Sequence, residues 1–314
     1  MSKVSIIIPA RGESKVNLMR TIQSIYKNAT GDFEVIVGFD GYPEYEFNEF
    51  RTRYKNLDII YFPRVVGIKT NITAMASMAK GKYIYKSDAH CRFGKNFIEI
   101  LKADMEEDWI VMPRFKIIKD DWSIQIRDGE EEFYDYFYLC CPFTDPKGFR
   151  FKAGGHWRER TDERNPENKE LSPNLHHLEK AYPDTFKPLI DDTPQMHGSG
   201  WFMTRDRYFA LGGFPNIDPH GHAQEPIWLG LKNQLEGGKL MVNKNTWYAH
   251  LHQQGNKRGY HMDKAQENIS YDLAAKKFMG DSRMFAWLKK NMPMPTWPED
   301  WEQRLIDYQK KNNG

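Results

Sequence analysis

Two short histidine patterns carry most of the chemistry that this sequence offers. Asp88-Ala-His90 sets a carboxylate and an imidazole two residues apart, and extended backbone turns such a pair to one side. His250-Leu-His252 repeats the spacing with two imidazoles. A carboxylate joined by imidazoles can hold a divalent cation, and a cation so held can bridge a diphosphate. Oxygen and imidazole ligands suit Mn²⁺, or Mg²⁺, better than thiolates would. The bland alternative is that Asp88 caps a following helix and His90 packs beneath it. Glu225 opens a helix after the His-rich stretch Pro219–Gln224. It is placed to act as a general base or to hold an acceptor hydroxyl, and equally to make a favourable contact with the helix dipole. Trp228, one turn on, would cover a sugar face or belong to the core. Lys257 and Arg258 lie on the Gly-containing loop 253–260, which His261 follows. They would clamp phosphates as that loop closes, or simply make a solvated basic loop.

These residues need a scaffold, and the first third of the chain describes one. Val4–Ile8 is a β-branched run stopped by Pro9. Ser14 caps a helix with Leu18, Ile22, Ile25 and Tyr26 on one face. Further strands are predicted at 33–37, 57–62, 82–85 and 109–112, with helices at 70–80 and 97–105 between them. Strands alternating with helices predict an α/β fold, a mostly parallel sheet flanked by helices. In such a sheet ligands bind beyond the carboxyl ends of the strands. Pro9 and Arg11, Asp40, and Asp88–His90 all fall there, with Lys69 at the head of the 70–80 helix. There is no Gly-x-Gly-x-x-Gly after the first strand and no phosphate-binding Gly-x-x-x-x-Gly-Lys-Ser/Thr. A nucleotide would instead meet Asp40 at its base or ribose and Arg11 near its phosphates.

The regularity stops near Phe115. Residues 116–194 read as a loop-rich insertion, 195–260 as a second, acceptor-facing half, and 261–314 as a helical extension. Inside the insertion, Phe149–Arg160 interleaves aromatic and basic residues, a local patch for an anionic polymer or a substrate-covering loop. The chain as a whole is nearly neutral: 45 Lys and Arg against 43 Asp and Glu in 314 residues. No global field therefore advertises nucleic acid or a membrane surface. No run is apolar enough for a membrane span, and no secretory leader is apparent. Three cysteines (Cys91, Cys140, Cys141) make neither a disulfide framework nor a zinc site. A reducing cytoplasm is the expected setting.

The strands and motifs together resemble glycosyltransferase family 2, whose fold is of the GT-A type. Val4–Arg11 resembles that family's opening strand. Gly38-Phe-Asp40-Gly41 resembles its nucleotide-contacting Asp motif, with Phe39 where a second Asp is usual. Gly67–Gly81 resembles its helix of small residues. Asp88-Ala-His-Cys91 stands at the family's Asp-x-Asp position in the Asp-x-His form, similar to the polypeptide N-acetylgalactosaminyltransferases. Those enzymes add a later histidine, which implies His250 as third metal ligand ahead of His252. Gly198–Gly213 and Gly221–Trp228 resemble two of their further segments, although the family's Glu-Asp pair is here Gln224-Glu225.

The resemblance implies a metal-dependent transfer of a hexose from a nucleotide-diphosphate sugar, a UDP-sugar first, to an acceptor hydroxyl. The acceptor would be a glycan or lipid-linked precursor, or a hydroxymethylated base in DNA. The rival readings are a non-catalytic module that binds sugar nucleotide or DNA, and a nucleotide-sugar hydrolase.

Overall fold

The computed structural model describes residues 3–43, 45–140, 152–157, 189–193, 195–214, 226–252, 259–260, 264–291 and 299–313. Its first strand, β1 (Val4–Ala10), leads into helix α1 (Lys15–Asn28), where the Ser14 side chain accepts the Asn17 N–H and caps the helix. Then come β2 (Phe33–Asp40), α2 (Asn48–Arg53), β3 (Leu57–Phe62), α3 (Ile68–Met78), β4 (Tyr83–Ser87), β5 (Cys91–Phe93), α4 (Phe97–Ala103) and β6 (Trp109–Ile118).

Short strands follow: β7 (Ile126–Arg127), β8 (Glu130–Glu131), β9 (Phe133–Tyr134), β10 (Tyr136–Cys140), β11 (Lys152–Trp157) and β12 (Ile190–Asp192). The later part holds β13 (Gly200–Thr204), a π-helical turn at Pro226–Leu231, β14 (Lys239–Leu251) and helices at Lys264–Met279, Ser282–Asn291 and Trp301–Asn313. No helix among the described residues is long and apolar enough to cross a membrane.

One large sheet runs β12-β14-β6-β13-β4-β1-β2-β3, with β5 and β9 pairing from its flank. Strands β3, β2, β1 and β4 are mutually parallel, β13 is antiparallel to both β4 and β6, and β6 is parallel to β14. The late strands are thus threaded into the same sheet as the early ones.

Side-chain alternation along β1 sends Ile7 to one face and Val4, Ile6 and Ile8 to the other. The first face is covered by α3 and the C-terminal helices, through Met75, Phe278 and Leu305. The second is covered by α1 and α4, through Leu18, Ile22 and Phe97. Each fully buried isoleucine contributes roughly 1.5–3 kcal/mol relative to exposure.

Two sequence expectations need correcting. Pro9 does not end β1. The strand pairs with β4 only as far as Ile7, so no partner on that side needs the N–H that Pro9 lacks, while pairing with β2 continues through Pro9 opposite Gly38. The fifth strand does not stop at Met112 either. It continues through Pro113 to Ile118 because β14 runs beside it. That partner, β14, is a single long strand with a bulge between Asn243 and Trp247.

Candidate metal centre and donor site

The Asp88–His90 segment links β4 to β5 at the carboxyl end of the sheet. It is fastened from three directions. The Asp88 N–H donates to the Ser199 carbonyl (2.9 Å). From α1, the buried Thr21 hydroxyl donates to the Ala89 carbonyl (2.9 Å) and accepts the Cys91 N–H (2.9 Å). On the far side β5 pairs antiparallel with β14, placing Cys91 opposite His250, and the Leu251 N–H donates to the His90 carbonyl (3.0 Å).

Backbone pairing therefore brings together residues 160 apart in sequence. His90 Nε2 lies 3.0 Å from His250 Nε2, and His250 Nε2 lies 3.1 Å from Asp88 Oδ2. One ligand atom from each of Asp88, His90 and His250 falls within 4.8 Å of the others.

The surroundings suit a cation. His250 is buried, and burial depresses its pKa to about 3, so its imidazole is neutral and able to ligate. Burial alone would raise the Asp88 carboxyl, but the Lys86 ammonium and then His250 hold it well below the usual carboxylate range. Buried Lys86 donates to Asp88 Oδ1 (2.5 Å) and to the Gly198 carbonyl (2.6 Å), which leaves Oδ2 turned to the histidines.

His90 Nδ1 meets Glu13 Oε2 at 2.6 Å. An imidazole that donates its other N–H to a carboxylate has its tautomer fixed and its free nitrogen made more basic. Glu13 is itself held, because Oε1 accepts from the Ser14 N–H and from Asn17 Nδ2. With two imidazole nitrogens and a carboxylate oxygen converging, and Nε2 of His90 left as the lone-pair end, these residues fit a divalent cation.

Sequence reading had not found Glu13, Thr21, Lys86 or His197. Glu13 could have been suspected from its place just past β1. Lys86 could have been suspected too, two residues before Asp88 on the same extended run, whereas Thr21 and His197 are brought in by packing. His197 stacks on Phe115 (ring centroids 4.8 Å), lies 6.1 Å from the His250 ring, and its Nδ1 meets the Tyr248 hydroxyl at 3.1 Å.

The remaining predicted residues are distributed differently. His252 is exposed, with its ring 4.8 Å from that of His250, and lies outside the three-residue cluster. Arg11 sets its guanidinium 4.9 Å over the Tyr260 ring. Next to it, Gly12 (φ +55°) touches Gly259 so closely that a Cβ would fall 2.3 Å from the Gly259 carbonyl oxygen. The turn after β1 and residues 259–260 are thus in backbone contact. Pro9 is half-buried in β1.

Asp40 is buried, and its carboxylate accepts from the Val66 N–H (2.6 Å) and the Gly67 N–H (3.1 Å), so it fastens the turn that leads into α3. Lys69, in the first turn of α3, is buried. The phase of α3 turns it inward, where Nζ meets Ser270 Oγ (3.3 Å) and lies 5.8 Å from the Trp228 ring centre. Trp228 is likewise buried and packed on Phe278 (5.4 Å), in keeping with the core alternative. Glu225, Lys257, Arg258 and His261 lie outside the described residues, as do 149–151 and 158–160 of the 149–160 stretch.

Comparison with known proteins agrees with this architecture. The profile described as "Glycosyl transferase family 2" matches residues 5–175, and the chain belongs to that family. A Drosophila melanogaster protein named polypeptide N-acetylgalactosaminyltransferase 13 is 24% identical over 266 residues, 80% of this chain and 42% of that protein. A crystal structure of GalNAc-T7 with UDP, GalNAc and Mn²⁺ superposes with TM-score 0.66 at 16% identity, over 98% of this chain and 54% of the other. Residues 1–349 of S. aureus TarS with UDP-GlcNAc match with TM-score 0.57 at 12% identity, over 99% of this chain and 74% of that one. The chain spans about half the length of the first two proteins. The mixed α/β sheet is thus the GT-A fold expected from sequence.

Proposed function

We propose that this chain is a metal-dependent glycosyltransferase that moves a hexose from a UDP-sugar to an acceptor hydroxyl. The observation that carries the proposal is the convergence of Asp88, His90 and His250 at the carboxyl end of a GT-A sheet. The UDP complexes of two structural neighbours, one of them with Mn²⁺, support the choice of donor and of metal. A divalent cation held by the three residues would neutralise charge on the diphosphate as it departs.

The chain's own residues have separate tasks. Glu13 keeps the His90 proton on Nδ1. Lys86 keeps one Asp88 oxygen occupied, so that the other faces the histidines. The Arg11–Tyr260 contact brings the turn after β1 against the segment beyond β14, with Lys257 and Arg258 immediately before it to meet phosphate.

In the reaction a bond forms between the acceptor oxygen and the anomeric carbon. The bond from that carbon to the β-phosphate oxygen breaks, and its electron pair leaves with UDP. If the anomeric configuration is retained, the departing phosphate oxygen takes the hydroxyl proton. If it is inverted, Glu225 takes it.

The test is release of UDP from a panel of UDP-sugars, with Mn²⁺ and with chelator, in wild type and Asp88→Ala. Metal-dependent release lost in the variant is the expected result. Absence of release from every donor, with and without glycoside or hydroxymethylated DNA as acceptor, would overturn the reading in favour of a binding module. Release that no acceptor accelerates would identify a hydrolase.

A further inference from the structure

A cleft of about 800 Å³ lies next to the metal cluster. It is bounded by Phe115 and Ile118 of β6, by Asp120 and Asp121 in the turn beyond, by Tyr134 of β9 and by His252. It shares a wall with the centre: the Phe115 ring is 6.3 Å from that of His250 and 5.7 Å from that of His252. Clefts of roughly 300–1,000 Å³ take small organic ligands, so a mono- or disaccharide fits. Its chemistry suits one too, with carboxylates to accept from hydroxyls and aromatic and aliphatic surface for a sugar's C–H face.

The turn that carries the two carboxylates is firmly built. The Lys119 N–H donates to the Ser123 carbonyl (3.0 Å), and the Gln125 N–H to the Ile117 carbonyl (2.8 Å). Between them Trp122 takes a left-handed conformation (φ +66°), unusual for so large a residue. Its carbonyl accepts from Arg92 Nη1 (2.5 Å), the Arg20 guanidinium lies 5.2 Å from its ring centre, and its side chain packs with Ala249 and Leu251. Asp121 Oδ1 accepts both the N–H and the hydroxyl of Ser123 (2.9 and 2.6 Å), bonds that hold its carboxyl below the usual range and keep it ionised.

Charge separates the two acceptor classes. Polyanionic DNA is bound by arrays of Lys and Arg against phosphates. Among the described residues the cleft is lined by Asp120, Asp121 and Lys119, the Arg92 and Arg20 cations are engaged by Trp122, and Lys116 and Arg114 of β6 pair with Glu131 and Asp135. We propose that this cleft is the acceptor subsite and that it takes an uncharged saccharide, presenting a hydroxyl toward the metal centre, in preference to DNA. The proposal rests on the transferase reading.

Saturation-transfer NMR tests it, on the full chain with UDP and Mn²⁺, using the methyl glycosides of glucose, galactose and N-acetylglucosamine. At least one glycoside should bind to wild type. Asp121→Lys and Asp120→Lys should each weaken that binding about tenfold, the worth of a hydrogen bond to a charged group. UDP affinity, measured by calorimetry on the same samples, should stay the same. Failure of every glycoside to bind while UDP binds would overturn the cleft assignment and leave the transferase reading standing. So would glycoside binding indifferent to both substitutions, or displacement of the glycoside by hydroxymethylated duplex DNA. Loss of UDP binding in wild type would instead strike the transferase reading itself.

Discussion

The two walls of this site are fastened by different means. On the donor side, the Asp88–His90 segment hangs from a regular helix: Thr21 clamps Ala89 and Cys91, and Glu13, just ahead of the same helix, orients His90. The acceptor side draws one contact from the same helix, the Arg20 cation over the Trp122 ring, and is otherwise held by strands. The turn after β6 is held in a left-handed conformation at Trp122 by a cation over its ring, a guanidinium on its carbonyl and packing against β14. The donor wall is a strained-free arrangement of short hydrogen-bonded reaches, suited to fixing ligand atoms. The acceptor wall spends backbone strain to present two carboxylates, which places substrate choice where the chain can vary without disturbing the metal ligands.

The comparison is broken most severely at its shared centre. His250→Ala removes one ligand atom and the neighbour of both other ligands. Mn²⁺ binding, followed by the electron paramagnetic resonance signal of free Mn²⁺, should fall by more than the ~10²-fold that loss of an outer partner costs, and sugar transfer should vanish with it. A variant that still binds Mn²⁺ as wild type does would remove His250 from the ligand set.

Glu13 sharpens the donor side. Glu13→Ala frees the His90 tautomer and should lower Mn²⁺ affinity by ~10–100-fold. Glu13→Gln, whose amide oxygen can still accept from Nδ1, should recover most of the loss. Equal losses in the two variants would show that the carboxylate charge matters and the hydrogen bond does not. Thr21→Val should have a smaller effect, with a different signature. It leaves the buried Cys91 N–H without its hydroxyl acceptor and Ala89 without its donor, costing about 1–3 kcal/mol of stability. Thermal unfolding and Mn²⁺ titration should both move, because the clamp supports the fold and the site together.

The same contrast explains what could be read from the sequence. β1, α1, β2 and β4 are set by local rules: a β-branched run, a serine cap, an apolar face at helical spacing. Asp88 and His90 were visible because two ligands two residues apart announce themselves. His250 needed the family resemblance, since its position beside Cys91 comes from strand pairing across 160 residues. Asp40, Lys69 and Trp228 show what such reading leaves open. Each has chemistry that suggests a ligand, while in the fold Asp40 holds the turn before α3, and Lys69 and Trp228 lie beneath the helix Lys264–Met279. A side chain's chemistry is local information, but which way it faces is decided by packing. The cleft was invisible for a related reason. Strand β6 outruns its predicted end because β14 pairs with it, and only then does the turn at 119–125 stand beside His252.

Arg92 is where the two walls meet. It belongs to β5, whose next residue back, Cys91, is clamped by Thr21, and its guanidinium holds the Trp122 carbonyl. The mildest test of separability is therefore Trp122→Phe, which keeps that backbone bond and most of the apolar volume. It exchanges the indole for a ring that attracts the Arg20 cation less well. The expected loss is about 0.5–1 kcal/mol, or roughly a two- to fivefold rise in the acceptor's KM, with kcat, Mn²⁺ affinity and UDP affinity unchanged. Steady-state kinetics with varied glycoside, beside a Mn²⁺ titration, resolves a change of that size. If Mn²⁺ affinity falls along with acceptor affinity, Arg92 transmits the disturbance through β5, and the walls act as one unit. If the acceptor's KM alone rises, the turn is an independent module whose conformation tunes what the metal centre is offered.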